Sequence, residues 1–429
     1  MNVVHVYDGH EKVYDGRGSV PNVIWNVARE TARNHDVTVL ERKWRGLDAR
    51  AEHDGVVFER FDLRTGADEP WERVPYEAVE SPMKLGRLVC DRTNFARVAL
   101  SRVRELDPDI VHVHLPFAAN VLVTVAPSLR EKTVYTAHLG ELRMNALADD
   151  QQGQAAPAAD GGEVEGEDGG LGAPAVLDFV SPDTYLANRV AHTTVLNPDI
   201  ADVFADRGVS RDRLSVVPNG VDVERFGDVD DARTRAIRDS YGIGDGPTLL
   251  FVGTVMPRKG VDDLIRAASQ LIEAGYDDLR VIVAGEDDLD GEYTTDIREL
   301  ARENGVAEAV SLPGFVPGED LPALYAAADA FVLPSREEGF GMTVTEAMAA
   351  GTPVVATDVG GISRLVDEGK QGYVVRPNDP SGLVDGIDEL LSASDSEAMA
   401  DAARDRAAEY SWRGIATRFN DIYEEVARR

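Results

Sequence analysis

Two glutamates, Glu338 and Glu346, lie in the stretch Pro334-Ser335-Arg336-Glu337-Glu338-Gly339-Phe340-Gly341-Met342-Thr343-Val344-Thr345-Glu346, which runs on to Gly351-Thr352-Pro353-Val354-Val355-Ala356. The apolar run 330–333 predicts a strand, Gly339 and Gly341 a glycine-rich turn, and a helix beginning near Thr343 that Gly351-Thr352-Pro353 stops. A helix that starts after a strand of a parallel sheet turns its free amides toward a ligand crevice, where they favour phosphate or another anion. Gly339 and Gly341 let backbone approach a sugar closely. Glu338 precedes the helix and Glu346 lies about one turn inside it, so the two carboxylates address one ligand from different depths. One reaches sugar hydroxyls or a positive charge developing at a sugar carbon, and the other reaches ribose hydroxyls. In a chain with 77 acidic residues the bland alternative is a solvated surface pair. The glycines and the strand–turn–helix context weigh against it.

A second cluster supplies cations. In Phe251-Val252-Gly253-Thr254-Val255-Met256-Pro257-Arg258-Lys259-Gly260 a strand ends at Gly253, Arg258 and Lys259 follow, and a helix begins after Gly260. Lys259 at a helix N-terminus can meet a diphosphate; the alternative is a basic loop with exposed cations. A third candidate is His138, which follows the strand 133–136 at a crevice-facing end. His112 and His114 lie on the strand 110–114; their side chains are expected to diverge, with His112 packed in the sheet. Gly16 and Gly18 form a turn after the first strand, before an amphipathic helix that ends near His35, and its amides are expected near phosphates. Histidines and carboxylates show no zinc spacing, and no Asp-X-Asp metal motif stands in a suitable loop.

These residues need strands that end together. Short apolar runs are expected as strands at 2–7, 37–40, 110–114, 133–136, 193–196 and 214–217, and again at 248–252, 281–284, 310–312, 330–333, 353–356 and 372–375. Helical patterns separate most of them, the rhythm of βαβ units, so two doubly wound α/β domains are expected. Between 148 and 175 the composition shifts to Gly, Ala, Gln, Asp and Glu, read as a disordered acidic insertion. In 411–429, Trp412, Ile415, Phe419, Ile422, Tyr423 and Val426 fall at helical spacing.

The 429 residues carry 77 acidic and 44 basic side chains, a formal charge of −33, and only six of the cations are lysine. That field repels a phosphodiester backbone and excludes a general nucleic-acid binder. Carboxylates spread from Asp8 to Glu425 suit a surface screened by concentrated salt, as in a halophilic archaeal cytoplasm. Cys90 is the sole cysteine, so no intrachain disulfide forms. No signal peptide or membrane span is expected, and the chain is expected to be cytoplasmic, at most peripheral on a membrane. Residues 84–104 are unusually basic, with Lys84, Arg87, Arg92, Arg97, Arg102 and Arg104. Leu85, Leu88, Val89, Phe95, Ala96, Ala99 and Val103 form the apolar stripe, which includes Arg92. Two readings compete: arginines paired with neighbouring carboxylates, or a docking face for an anionic lipid surface or lipid-linked acceptor.

The segment from Pro334 resembles the EX7E signature of retaining family 4 glycosyltransferases, here Glu338 and Glu346. The resemblance extends to the 251–267 loop, similar to that family's donor-diphosphate loop, to Pro218-Asn219-Gly220-Val221-Asp222, and to Leu312-Pro313-Gly314-Phe315-Val316, which lies by the donor base in the family. It implies a GT-B fold of two Rossmann-like domains facing across a cleft: an acceptor domain at 1–217, a nucleotide-sugar donor domain at 218–410, and a C-terminal helix at 411–429 crossing back. It further implies transfer of a hexosyl group from a UDP- or GDP-sugar to an acceptor hydroxyl with retention of configuration, the acceptor being a glycan, glycolipid or lipid-linked sugar. Catalytic roles fall on Glu338, His138 and Lys259. Donor contacts fall on Gly16, Gly18, Gly253, Arg258, Lys259, Val316, Gly339, Phe340, Gly341, Met342, Thr343 and Glu346. The nucleotide sugar is substrate, and neither cofactor nor obligatory metal is expected. Three positions depart from the family pattern: Thr254 where it has arginine, Arg364 where glutamate is frequent, and Arg17 between Gly16 and Gly18. The alternatives are a nucleotide-sugar 2-epimerase on the same fold and a catalytically weak sugar-binding subunit. A dehydrogenase is disfavoured because the first turn lacks a full GxGxxG.

Overall fold

The computed structural model describes residues 1–16, 18–63, 82–138, 182–287 and 291–429, and the acidic insertion expected at 148–175 lies outside them. The chain divides into two compact units, Met1–Val217 with Ala416–Arg429, and Pro218–Ile415. The first holds strands β1 (Asn2–Val6), β2 (Asp36–Arg42), β3 (Arg50–His53), β4 (Val56–Phe61), β5 (Ile110–Val113), β6 (Thr133–Ala137), β7 (His192–Val195) and β8 (Leu214–Val216). They form one eight-stranded sheet in the order β3-β4-β2-β1-β5-β6-β7-β8. The second unit holds β9 (Thr248–Val252), β10 (Arg280–Ala284), β11 (Val310–Gly314), β12 (Ala330–Leu333), β13 (Val354–Thr357) and β14 (Gly372–Val375), in the order β11-β10-β9-β12-β13-β14.

Every pairing is parallel except β3 with β4. Both faces of parallel strands must be covered, and β1, β5, β6, β7, β9, β10, β12 and β13 are accordingly buried over almost their whole length. Each sheet starts at a strand from which the order runs both ways, β1 in the first and β9 in the second. Ligands bind at such a reversal, outside the carboxyl ends of the strands.

Two strands, β3 and β4, were not among those expected from the sequence. Their signal is the dipeptide Asp54-Gly55, both in the left-handed region with φ 46° and 80°, which makes the two-residue hairpin turn that joins antiparallel His53 to Val56. The C-terminal helix runs Trp412–Arg428, and its second part belongs to the first unit, where Phe419 and Tyr423 are buried and Asn420 accepts a hydrogen bond from Thr31 at 3.2 Å.

The basic helix runs Pro82–Leu106. Leu88, Phe95, Ala96, Ala99 and Val103 are buried, but Val89, at the edge of the stripe, is 55% exposed. Arg97 and Arg104 face solvent. Arg102 is committed to Glu59 and Glu105, each at 2.8 Å, and buried Arg92 lies 3.7 Å from Asp8. Among the described residues no helix is long and apolar enough to cross a membrane.

The buried charges of this unit are paired in ways that tie helix to sheet. Arg42 on β2 grips Asp91 of the Pro82–Leu106 helix through both guanidinium ends, at 2.6 and 2.5 Å. It also donates to the Gly9 carbonyl at 3.1 Å. Arg60 donates to Glu41 at 2.7 Å, and Glu41 also accepts from the Val13 amide at 2.8 Å. Removing one partner of such a pair leaves the other charge buried, which costs about 3–5 kcal/mol. Asp91→Ala should therefore lower the urea midpoint of the unit containing it by a large fraction of its stability, whereas Asp202→Ala, whose exposed carboxylate pairs with exposed Arg211, should leave the midpoint nearly unchanged. Equal midpoints for the two variants would contradict this account.

Candidate active site

In the second unit β9 and β12 are neighbours running in one direction, so their following loops leave the same edge of the sheet. The loop after β9 makes a single 3-10 turn, Pro257–Lys259, and its helix, Val261–Glu273, starts immediately after Gly260. Gly260 has φ 65°, and a Cβ there would lie 2.1 Å from the Pro334 carbonyl oxygen. The loop after β9 thus rests directly on the chain leaving β12, an approach only glycine permits. The Arg336 amide then donates to the Arg258 carbonyl at 2.8 Å.

This interlock brings Lys259 and Glu338 together as an ion pair between Nζ and Oε1, with the two side chains 14% and 10% exposed. Ser335 Oγ donates to the same carboxylate oxygen at 2.8 Å. Thr357 at the end of β13 fixes Ser335 in turn by donating to its carbonyl. On the other side Gly360, φ 58°, leaves room for the Glu338 carbonyl, which a Cβ would meet at 2.3 Å. Glu338 is therefore held by an ammonium, a hydroxyl and a close backbone contact before any ligand arrives.

Arg336 clamps the two loops. Its guanidinium donates to Asp262 and Asp263 at 2.9 Å each, to the Pro257 carbonyl at 2.6 Å and to Asn378 at 2.6 Å. Burial pushes the Asp262 carboxyl up, but hydrogen bonds from Arg336, Tyr293 and Arg266 outweigh it and hold the group below the usual carboxylate range. Arg258, by contrast, is half-buried with no ion pair among the described residues.

The helix after the glycine turn runs Met342–Ala350, capped at both ends by glycines in the left-handed region, Gly341 (φ 87°) and Gly351 (φ 82°). Its first amides lie outside its own ladder. Met342, Thr343 and Gly339 are half-buried, Phe340 and Val316 are buried, and Gly253 follows β9 with its amide bonded to the Ala284 carbonyl at 2.9 Å. Glu346 lies half-buried and accepts a hydrogen bond from Tyr325 Oη at 2.9 Å. Burial pushes its carboxyl up to about 7, against the opposing pull of the Tyr325 hydrogen bond and of Arg225.

In the first unit Gly18 precedes the helix Ser19–Thr31, and the Gly16 amide donates to the Val13 carbonyl at 3.4 Å; Arg17 lies outside the described residues. His138 follows β6, and its Nε2 lies 3.2 Å from His114 Nδ1. Burial lowers its pKa to about 4, so the ring is neutral at physiological pH. The expectation that His112 and His114 diverge is corrected: residues two apart on a strand share a face, and their ring centroids are 4.1 Å apart. His112 is packed in the sheet between Tyr423 Oη and Thr136 Oγ1, both at 2.6 Å. Among the described residues the one group with nitrogens close enough for a metal is His5, His112 and His114, all within 4.8 Å. The sequence reading missed Ser335, Arg336, Tyr325 and His5. The first two stand inside the glutamate motif, but nothing local marks the other two.

The raised pKa of Glu346 has a defined sign in stability. The folded state binds a proton that the unfolded chain releases above about 4.5, so stability falls as pH rises from 4.5 through 7. The full cost, on the order of 3 kcal/mol, is present only above pH 7. Glu346→Gln, which still accepts from Tyr325, should be more stable than the wild type at pH 8, with the gain shrinking to about 1 kcal/mol at pH 5. Urea unfolding at the two pH values checks it, and a gain independent of pH would refute the assignment.

Comparison with known proteins bears on what such a site does. The family model described as "Glycosyltransferase Family 4" matches residues 20–225, and that described as "Glycosyl transferases group 1" matches residues 233–407. The chain is 32% identical over 335 residues to a D-inositol 3-phosphate glycosyltransferase of Corynebacterium urealyticum, covering 77% of this chain and 74% of that protein. It is 30% identical over 389 residues to a GDP-mannose-dependent alpha-(1-6)-phosphatidylinositol monomannoside mannosyltransferase of Mycolicibacterium smegmatis, covering 88% and 86%. Among solved structures, sucrose-phosphate synthase from Thermosynechococcus elongatus superposes with a TM-score of 0.75 at 20% identity, covering 99% of each chain. With two Rossmann-like units and relatives of this kind, the chain belongs to the family 4 glycosyltransferases of GT-B fold.

Proposed function

We propose that the protein transfers a hexosyl group from a nucleotide-diphosphate sugar to an acceptor hydroxyl with retention of anomeric configuration. The observation that carries this reading is the Lys259–Glu338 pair at the reversal of the second sheet. A diphosphate arriving at the loop after β9 competes for Lys259, with Arg258 beside it as a second cation. As the bond between the anomeric carbon and the diphosphate oxygen breaks, the electron pair leaves with the diphosphate, where these cations and the amides of Met342 and Thr343 stabilise it. Glu338, still held by Ser335, then faces the sugar's hydroxyls and its developing positive charge. Glu346 binds the ribose, Val316 and Phe340 line the nucleotide, and His138 holds the sugar. The acceptor oxygen attacks from the face the phosphate is leaving, and its proton passes to the departing phosphate oxygen. No step requires a metal.

The acceptor is read as a phosphate-bearing or lipid-linked polyol. Two relatives are named for inositol acceptors that carry phosphate, and Arg97 and Arg104 on the Pro82–Leu106 helix remain exposed to meet an anion or an anionic surface. We read the charge of −33 as that of a protein working in concentrated salt, such as a halophilic archaeal cytoplasm. The functional test is a donor panel of UDP- and GDP-sugars in molar KCl, with and without cell lipid extract, followed by NMR. Transfer gives a new glycoside only with acceptor present; a changed sugar in donor alone would establish epimerisation instead. Glu338→Gln and Lys259→Ala should each lose at least about a hundredfold in turnover while keeping a wild-type circular dichroism spectrum, in line with removal of a group that stabilises transition-state charge. Near-wild-type turnover in either would sink the assignment.

A further inference from the structure

His5, His114 and His138 form a continuous chain of rings behind the first unit's strand ends. His5 Nδ1 lies 3.0 Å from His114 Nε2, and His114 Nδ1 lies 3.2 Å from His138 Nε2. The His5 and His114 rings are stacked at 5.3 Å with an interplanar angle of 11°. At the inner end His5 Nε2 is buried with no hydrogen-bond partner, and at the outer end His138 Nδ1 takes no partner among the described residues. Burial keeps all three rings neutral, so each carries one proton.

One proton per ring and one per shared bond leave two arrangements. If the protons sit on Nε2, His138 donates inward to His114, His114 donates to His5, and His5 ends the chain with a buried N–H that meets no acceptor. If they sit on Nδ1, His5 donates to His114, His114 donates to His138, and His138 presents an N–H outward. The inner end then carries only a bare ring lone pair. A buried donor without an acceptor is the rarer and costlier defect. A metal at His5, His112 and His114 accounts for less: both nitrogens of His112 and both of His114 already have partners, so binding would break hydrogen bonds in a fully buried pocket.

We propose that His5 and His114 are positioning residues that lock His138 in the Nδ1–H form, so that it presents a neutral hydrogen-bond donor to a hydroxyl oxygen of the donor sugar. Neutral imidazole in water prefers the Nε2–H form, and the chain reverses that preference. The inner end is closed to solvent, so the chain sets a tautomer and conducts no proton. The proposal rests on the reading of His138 as a donor contact.

The test begins with the unmodified protein, labelled with 15N-histidine, in which NMR assigns the tautomer of each ring. His138 should be Nδ1–H; an Nε2–H ring would overturn the proposal whatever the fate of any variant. His5→Asp puts an acceptor in place of the inner donor and should turn the chain round, shifting His138 to Nε2–H and lowering kcat/KM for the nucleotide sugar about tenfold, the loss of roughly one hydrogen bond. His5→Asn, whose amide reaches the Nδ1 position and donates there, should keep both the tautomer and most of the activity. An unchanged His138 ring in His5→Asp, or an Asn variant as impaired as the Asp variant, would overturn it. His138→Ala separates the two claims: near-wild-type turnover there removes the donor contact, while the tautomer of the unmodified protein still decides the lock.

Discussion

Lys259 and Glu338 meet because two loops distant in sequence leave adjacent parallel strands at the point where the strand order reverses. The rest of the donor-side geometry follows from keeping those loops in contact. Gly260 lies against Pro334, Gly360 lies against Glu338, and Arg336 spans from Pro257 to Asn378. None of these contacts is strong alone, and a partly exposed ion pair contributes little to stability by itself. Their joint effect is to fix a carboxylate and an ammonium against each other in folding, so that in the proposed function the cost of ordering them is not left to binding.

The chain's acidity sharpens the meaning of its cations. With 77 carboxylates against 44 Lys and Arg, an arginine that can find a partner usually does: Arg42 takes Asp91, Arg60 takes Glu41, Arg102 takes Glu59, and Arg336 takes Asp262 and Asp263. Lys259 is paired as well, but with the one carboxylate that the ligand would also use. Arg258 beside it is half-buried and has no ion pair among the described residues. In the proposed function an incoming diphosphate competes with Glu338 for Lys259, which would couple donor binding to release of the carboxylate.

Much of the fold was legible because parallel strands are short, apolar and bounded by turn residues. The runs 248–252, 330–333 and 372–375 coincide with observed strands to the residue. The hairpin of β3 and β4 was missed although Asp54-Gly55 marks it, because its strands alternate polar and apolar residues at an edge rather than forming a buried run. The glutamate and lysine motifs were legible as local strings. Their partners were not. Tyr325 lies 21 residues before Glu346, and His5 lies 109 residues before His114, so only the strand order brings them together. The shared face of His112 and His114 was readable from the two-residue period alone, and misreading it hid the histidine chain.

Two carboxylates in one motif end in opposite environments, and that difference underlies the separate roles proposed for them. Glu338 touches an ammonium and a hydroxyl at the edge of the sheet, whereas Glu346 sits against a phenol in a setting that raises its carboxyl to about 7. In the proposed function it is the carboxylate beside the ammonium that answers the developing positive charge. A group that titrates near neutrality is poorly suited to that task but well suited to hydroxyl recognition, because both its forms can accept a hydrogen bond and the protonated one can also donate. Here the division follows from packing alone: Ser335 and Lys259 reach Glu338 because the two loops interlock, and Tyr325 reaches Glu346 because the helix from Met342 carries it inward by one turn.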